Sequence, residues 1–511
     1  MNFRFALFAI SFLSVGCATS PRRVPAPTPA PAAAAAQAPQ KPESLVSQHG
    51  VQLPVDSALV ARMIGEGMNH SHVAADLEYL TDVIGPRLSG GAGLRRANEW
   101  TARKFKEYGA DGAWLEPWTF GVGWERGPMT LRMLHPQQRE LLGVSWAWSP
   151  GTKGPLAGDV VMMDARSSDE FERRFAGKLR GAWVMMGPAA YLPNPDAPPI
   201  DARDSAAADS ARRAQPQLTP EERRFLFTSL SLVAREGAAG VVRDGAKEFA
   251  LFTMSGSPRA ISPLPQIVVA NETYAQFQRL LARHEPVRIE ADVRNTFTRD
   301  TLQVSNTVAE IRGTERPDEV VLLGAHLDSW DVATGATDNA TGSIAVLEAA
   351  RILAAAGVHP RRTIRFVLFG GEEEGLFGSQ AYAAAHKSEL AKYQAVLVLD
   401  NGSGRVTGMA LQGRDELRDM WQDLFAPISP LGPFAVRSGN KGGTDHLSFI
   451  SYGVPGFNYD QLGRGYNHTH HSQVDVYDHT APGDIAQAAT VMAVNAWQLA
   501  DMPELLPRTR H

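Results

Sequence analysis

The sequence predicts an α/β fold: a mostly parallel mixed sheet sandwiched by helices, with a β-rich segment inserted into it. Three observations lead there. Three short apolar β-type runs, Val320–Leu323, Ile364–Phe369 and Ala395–Leu399, are separated by Ala/Leu-rich, helix-like stretches, the alternation that builds a mostly parallel sheet. Each run ends close to a side chain able to bind metal or move protons: His326, Glu372 with Glu373, and Asp400. Open α/β sheets bind ligands at the carboxyl ends of their strands, where these residues fall. Between positions 136 and 299 the alternation gives way to short β runs without a chemical constellation.

A chain of 511 residues is expected to form two to three domains. Its 50 Lys and Arg against 55 Asp and Glu leave a formal net charge of −5, which argues against nucleic-acid binding and against a polybasic membrane surface. The one cysteine, Cys17, excludes an intramolecular disulfide framework and a cysteine-ligated zinc. Any zinc here has to be held by His, Asp and Glu, the ligand set of hydrolytic sites.

In chain order, residues 1–20 resemble a secretory signal: Arg4 precedes the apolar stretch Phe5–Leu13, which is too short to span a bilayer and ends in small residues. Cys17, in Leu13-Ser14-Val15-Gly16-Cys17, stands where a bacterial lipoprotein signal places its lipidated residue. The expectation is export to the periplasm or cell envelope with a lipid anchor at Cys17; cleavage near Ala18–Ser20 and secretion is the alternative. A Pro/Ala tract follows and cannot build a core, so residues 21–50 are expected to be a linker. Residues 51–135 are expected to be the first part of the catalytic domain. They contain helical patterns over His72–Val83 and Leu94–Tyr108, the Gly/Pro loop Ile84–Gly91 between them, and strand-like runs at Ala113–Phe120 and Met129–Met133. The insertion, residues 136–299, has β runs at Gly158–Met163, Gly181–Met186, Ala239–Val242, Gln266–Val269 and Val287–Ala291, a loop at Pro193–Pro216 and a helix over Pro220–Glu236. The main catalytic part, residues 300–511, adds a strand at Val454–Tyr459 and a closing helix over Asp484–Ala500.

The candidate site residues have bland readings when taken singly. Asp338 in a Gly/Thr loop before a helix reads as an N-cap. Consecutive glutamates read as a solvated turn, Asp400 before Asn-Gly as turn chemistry, and the cluster His468, His470, His471 as a surface tract. Jointly these readings fail, because four consecutive strand ends present metal-type groups to one edge of one sheet. A dinuclear hydrolytic site needs two terminal ligand sets, a bridging carboxylate and a general base, and the residues present suffice for all of them.

The segment GAHLDSWDVATGATDN, with GGEEEG, the histidine cluster and the earlier DVIGPRLSGGAGLRRANEW, resembles the co-catalytic di-zinc aminopeptidase family, and most closely its secreted dipeptidase members. GKLRGAWVMM, REGAAGVV and SPLPQIVV in the insertion resemble the protease-associated domain. The resemblance implies a zinc exopeptidase fold and a metallo-exopeptidase acting on peptides or dipeptides, with two Zn2+ per chain and a free α-amine docking on one of them. It implies His326 and Asp400 on one ion, Glu373 and His471 on the other, Asp338 between them, Glu372 as general base, and Asp328 orienting His326. His471 is preferred because it stands four residues before Asp475, as in the family's H-T-x-x-D; the ranking of Glu372 and Glu373 rests on the resemblance alone. Relatives also suggest a homodimer.

The chain departs from the family pattern at Asn339, where an Asp is usual, at Ser472, where Thr is common, and at Lys441, near where some members have a tyrosine. Asp445 and His446 read as supporting residues. Two rivals on the same fold remain: a glutaminyl-cyclase-like acyltransferase with one zinc, and a receptor-like binding protein that has lost its ligands. The absence of any G-x-S-x-G removes a serine hydrolase.

Overall fold

The computed structural model describes residues 43–46, 52–192, 218–298 and 301–508. The signal-like segment with Cys17, most of the expected linker and the Pro193–Pro216 loop lie outside these residues. Within the stretch expected as linker, Glu43–Val46 pairs antiparallel with Gln52–Val55.

Two eight-stranded mixed sheets dominate. The first runs in spatial order Ala435–Arg437, Val406–Ala410, Gly456–Gln461, Tyr393–Val398, Arg316–His326, Arg362–Phe369, Leu302–Ile311, Gly112–Gly121. The four strands from Gly456–Gln461 to Arg362–Phe369 are mutually parallel. The apolar runs of the sequence therefore form a continuous parallel centre, and antiparallel strands close one side of it. Because successive side chains point to opposite faces, Val321, Leu323 and Ala325 share one core with Ile344 and Val346, while Val320 and Leu322 pack with Tyr382 and Phe449 on the other face. Burial on both faces is why these strands read as unbroken apolar runs. Each fully buried Val, Leu or Phe there contributes roughly 1.5–3 kcal/mol.

The helices Thr341–Ala355 and Pro482–Asp501 cover the first face, the second of them buried from Ile485 to Asp501. Helix Ser57–Asn69 packs over them. Gly67 permits that approach, since a Cβ at this position would stand 2.0 Å from Thr490 Oγ1.

The second sheet runs Arg139–Glu140, Met129–His135, Arg288–Val293, Leu156–Met162, Trp183–Met185, Gly240–Asp244, Gln266–Val269, Gly143–Ser145. It too has four adjacent parallel strands, from Leu156–Met162 to Gln266–Val269. Phe277 and Tyr274 of helix Asn271–Ala282 pack on one face; Phe171, Phe225 and Val233 pack on the other. The boundary expected at 135/136 falls inside this sheet. Met129–His135 is laced along Arg288–Val293, so the second sheet begins before residue 136. Leu302–Ile311, not singled out as a strand by its pattern, joins Gly112–Gly121 to the first sheet.

Candidate metal centre

Parallel pairing sets the geometry. His326 stands in register with Phe369, and Gly324 with Val398, so the loops that follow carry Glu372, Glu373 and Asp400 to one edge beside His326. The ring of His326 is oriented from behind: its Nδ1–H donates to the Asp328 carbonyl (3.0 Å), which turns Nε2 toward the carboxylates. Nε2 lies 3.2 Å from Asp338 Oδ1 and 3.5 Å from Asp400 Oδ1. Across the site, His471 Nε2 lies 2.9 Å from Glu373 Oε2 and 3.4 Å from Asp338 Oδ2. Two potential metal-holding groups, His326–Asp338–Glu373 and Asp338–His470–His471, thus share Asp338.

Asp338 is free for this because the neighbouring residue takes the capping work. The N–H of Gly342 donates to Asn339 Oδ1 (2.9 Å), and Asn339 Nδ2 donates to the Leu399 carbonyl (2.9 Å). The second bond needs an amide, which Asn339 supplies. The bland reading of Asp338 as an N-cap does not apply: its neighbour carries the helix-start bond. Asp475 holds the loop from the other side, accepting from the N–H of Thr337 (2.6 Å), the Thr337 hydroxyl (2.7 Å) and the N–H of Asp338 (3.1 Å).

The electrostatics are those of crowded, buried acids. Burial pushes Glu372 well up, with Asp400, Asp445 and Glu373 adding to it against the pull of His326. Burial likewise raises Glu373, and Asp338, Asp328 and Asp400 add to that against His326. For His326 burial works against the charge, yet Asp400, Glu372, Asp328 and Asp338 together hold it well above the usual imidazole range. Burial also opposes ionisation of Asp338, but the hydrogen bond to His326 and the nearby His470, His471 and His326 outweigh it and lower the carboxyl. Asp338 Oδ2 is buried without a hydrogen-bond partner. Imidazole nitrogens and carboxylate oxygens around an orphaned acceptor, with more buried acid than the local cations offset, are what a divalent cation such as zinc satisfies.

The Peptidase family M28 model matches residues 306–496. Carboxypeptidase Q of Homo sapiens is 30% identical over 449 residues, covering 87% of this chain and 88% of that protein. Among solved structures, a peptidase M28 precursor from Shewanella amazonensis matches with a TM-score of 0.72 and 26% identity over 88% of this chain and 98% of that chain. The zinc aminopeptidase BSAP from Bacillus subtilis matches in fold, with a TM-score of 0.60 and 18% identity over 86% and 98% of the two chains. The chain belongs to peptidase family M28. It is a metallo-exopeptidase of that family.

In this M28 peptidase the seven residues singled out by sequence, His326, Asp328, Asp338, Glu372, Glu373, Asp400 and His471, all come to one edge of the first sheet. A cavity of about 370 Å3 opens beside them, lined among others by Glu372, Asp400, Tyr466 and His470. Both glutamates line the cavity; Glu373 is in addition engaged by His471 Nε2 and by the N–H of Trp330 (3.3 Å). The carboxylate of Asp328 accepts the N–H groups of Glu372 and Glu373 and the hydroxyl of Ser89, each at 3.2 Å, and stands 3.6 Å from His326 Nδ1. It ties the strand end to the glutamate loop.

Of the histidine cluster, His470 stacks on His471 at 3.7 Å between centroids and reaches 3.7 Å from Asp338 Oδ2. His468 instead lies by the ring of Phe249. Lys441 is turned to the Tyr459 carbonyl (2.7 Å) and Asp460 (3.2 Å).

Sequence reasoning missed Arg87. Arg87 is wholly buried and donates to the carbonyls of Leu327, Gly85, Thr334 and Gly335, joining the loop after the His326 strand to the loop before Asp338. Burial lowers its guanidinium to about 10, with Asp475, Asp328, Glu373 and Asp338 opposing. Its one sequence signal was its place in the Gly/Pro loop that carried the family resemblance.

Proposed function

We propose that this M28 peptidase hydrolyses N-terminal residues or dipeptides at a dinuclear zinc centre with Glu372 as general base. The observation that carries the reading is Asp338, with one oxygen toward His326 and the other, otherwise without a hydrogen-bond partner, toward His471. His326, Asp400 and Asp338 would hold one ion; Glu373, His471 and Asp338 would hold the other. Bound there, zinc supplies Lewis-acid polarisation of the scissile carbonyl and acidifies water toward neutrality.

The chain's own residues do the rest. Glu372, on the cavity wall, takes a proton from the attacking water and delivers it to the leaving amine, base then acid. The burial and neighbouring carboxylates that raise its proton affinity suit it to both directions. Asp328 fixes the backbone of both glutamates, and its carbonyl fixes the imidazole of His326. The cavity is of a size found for small-ligand sites, which favours a dipeptide or the end of a chain over an extended polypeptide. The names of carboxypeptidase Q and of the zinc aminopeptidase BSAP support an exopeptidase and zinc.

Arg4, Phe5–Leu13 and Cys17 carry the further proposal of export with a lipid anchor. Among the described residues no helix is long and apolar enough to cross a membrane.

The test is a dipeptide and aminoacyl-anilide panel on zinc-loaded protein, with metal analysis, for the wild type and Glu372→Gln. The variant is expected to keep two zinc ions per chain and to lose about 10²–10⁴-fold in rate. Near wild-type turnover would remove Glu372 from its role. One zinc per chain without peptidase activity would favour the cyclase-like chemistry instead.

A further inference from the structure

A loop of the second sheet reaches the turn that carries His471. Residues 245–257 leave strand Gly240–Asp244 and lie along the turn that carries His471. The main-chain N–H of Met254 donates to the His471 carbonyl (2.8 Å). The N–H of Phe252 donates to Gln473 Oε1 (2.9 Å), and Gln473 Nε2 donates back to the Ala250 carbonyl (2.9 Å), so one side-chain amide pairs with the loop as a strand neighbour would. Lys247 Nζ donates to the Asn467 carbonyl. The loop is itself anchored: the N–H of Gly245 donates to the Val269 carbonyl (2.7 Å), that of Thr253 to the Gly245 carbonyl (2.9 Å), and Phe252 and Met254 are buried.

What this loop grips is under backbone strain. His471 has a φ of 58°, the left-handed region that non-glycine residues occupy only when surrounding contacts impose it. The imidazole that faces Glu373 and Asp338 therefore depends on contacts made outside its own turn, and the Met254 and Gln473 bonds supply them from the other sheet.

We propose that the inserted segment is a working part of the metal centre: through Met254, and through the pairing of Ala250 and Phe252 with Gln473, it holds His471 in place and so sets the affinity of the cation shared by His471 and Glu373. The proposal rests on the two-zinc reading above. Gln473 is a positioning residue: its side-chain amide bonds the Phe252 N–H and the Ala250 carbonyl rather than any residue assigned to the ions. An imidazole that must first be restrained loses affinity when the restraint goes, and supporting partners of metal ligands are typically worth 10–100-fold in metal binding.

Zinc titration of the metal-free full chain by calorimetry, with chelator competition, reads this without activity. In Gln473→Ala one of two zinc steps is expected to weaken about 10–100-fold while the other stays at its wild-type value. The thermal midpoint of the metal-free protein is expected not to move, and peptidase activity to return when zinc is supplied in excess. Lys247→Met, which removes the outer bond of the same latch, is expected to shift the same step by a smaller factor. Unchanged zinc steps in both variants would overturn the proposal, as would equal weakening of both steps together with a lowered midpoint of the metal-free chain. A wild-type protein that takes up fewer than two zinc ions would instead refute the dinuclear reading itself, a result the titration distinguishes at its first stage.

Discussion

Both sheets contain four adjacent parallel strands, and both place acids at the carboxyl ends of those strands, yet among the described residues only one edge gathers potential metal-holding groups. In the second sheet Asp164 stands two residues beyond Met162, much as Asp400 stands two beyond Val398 in the first. Asp164 faces Arg174 at 2.5 Å. Asp244, ending the next strand but one, accepts from the N–H groups of Ala190 and Ala246 and from Asn271. Both of these acids have donors. At the first sheet Asp338 Oδ2 has none, and Asp338, Glu372, Glu373 and Asp400 converge on imidazoles that are too few to neutralise them. Topology makes a place for a ligand; a deficit of donors and positive charge makes it a metal site.

The sharpest way to break this contrast is Asp338→Asn, which keeps the volume of the side chain but halves its carboxylate character. Both halves of the centre share this residue, so the expected outcome is loss of both zinc ions by metal analysis and activity at background, with the fold intact by circular dichroism. Retention of two ions would mean that Asp338 is not the shared ligand. Glu372→Gln belongs next in size, because it removes a proton carrier and leaves the ligand set untouched.

The centre was legible in sequence where an apolar strand ended in a chemical side chain, because parallel pairing carries such ends to a common edge without further information. His326, Glu373 and Asp400 were of this kind. The residues that had to be found in the structure act across long separations: Arg87 meets the Leu327 carbonyl 240 positions away, and Gln473 meets Ala250 at 223. No local pattern marks such partners. The start of the second sheet was misplaced for the same reason, since Met129–His135 has the pattern of any half-buried strand and only its pairing with Arg288–Val293 assigns it. Lys441, singled out because relatives have a tyrosine nearby, proves committed to Tyr459 and Asp460, and the phenol on the cavity wall is Tyr466.

A smaller effect should appear in how stability depends on pH. In the metal-free chain burial, reinforced by Asp338, pushes Asp475 up to about 7, against its bonds to Thr337 and Asp338. Burial also brings Asp445 to about 7, with Asp328 and Asp400 adding and His326 and Ser379 opposing. A carboxyl whose folded value exceeds its unfolded one near 3.8 contributes stability that is full below the lower value and lost as pH rises through the higher. The thermal midpoint of chelated protein is therefore expected to fall as pH rises from about 4 to 7. Zinc requires deprotonated ligands, so its stabilisation grows over that interval. Differential scanning calorimetry should show the gap between zinc-loaded and chelated protein widening with pH. A gap that is constant or narrows would mean that the buried acids are not coupled to the metal.

The least effect is expected at the second sheet's counterpart of Asp400. Asp164 and Arg174 are each nearly half exposed, and solvent screening leaves such ion pairs with little effect on stability. Asp164→Asn should leave zinc content and turnover at wild-type values and shift the thermal midpoint by no more than a degree or two. Asp400→Asn, an identical chemical change two residues beyond a parallel strand in the other sheet, should cost one zinc ion. If the two variants behaved alike, the position at a strand end would matter more than the charge gathered around it, and the distinction between the two sheets would fail.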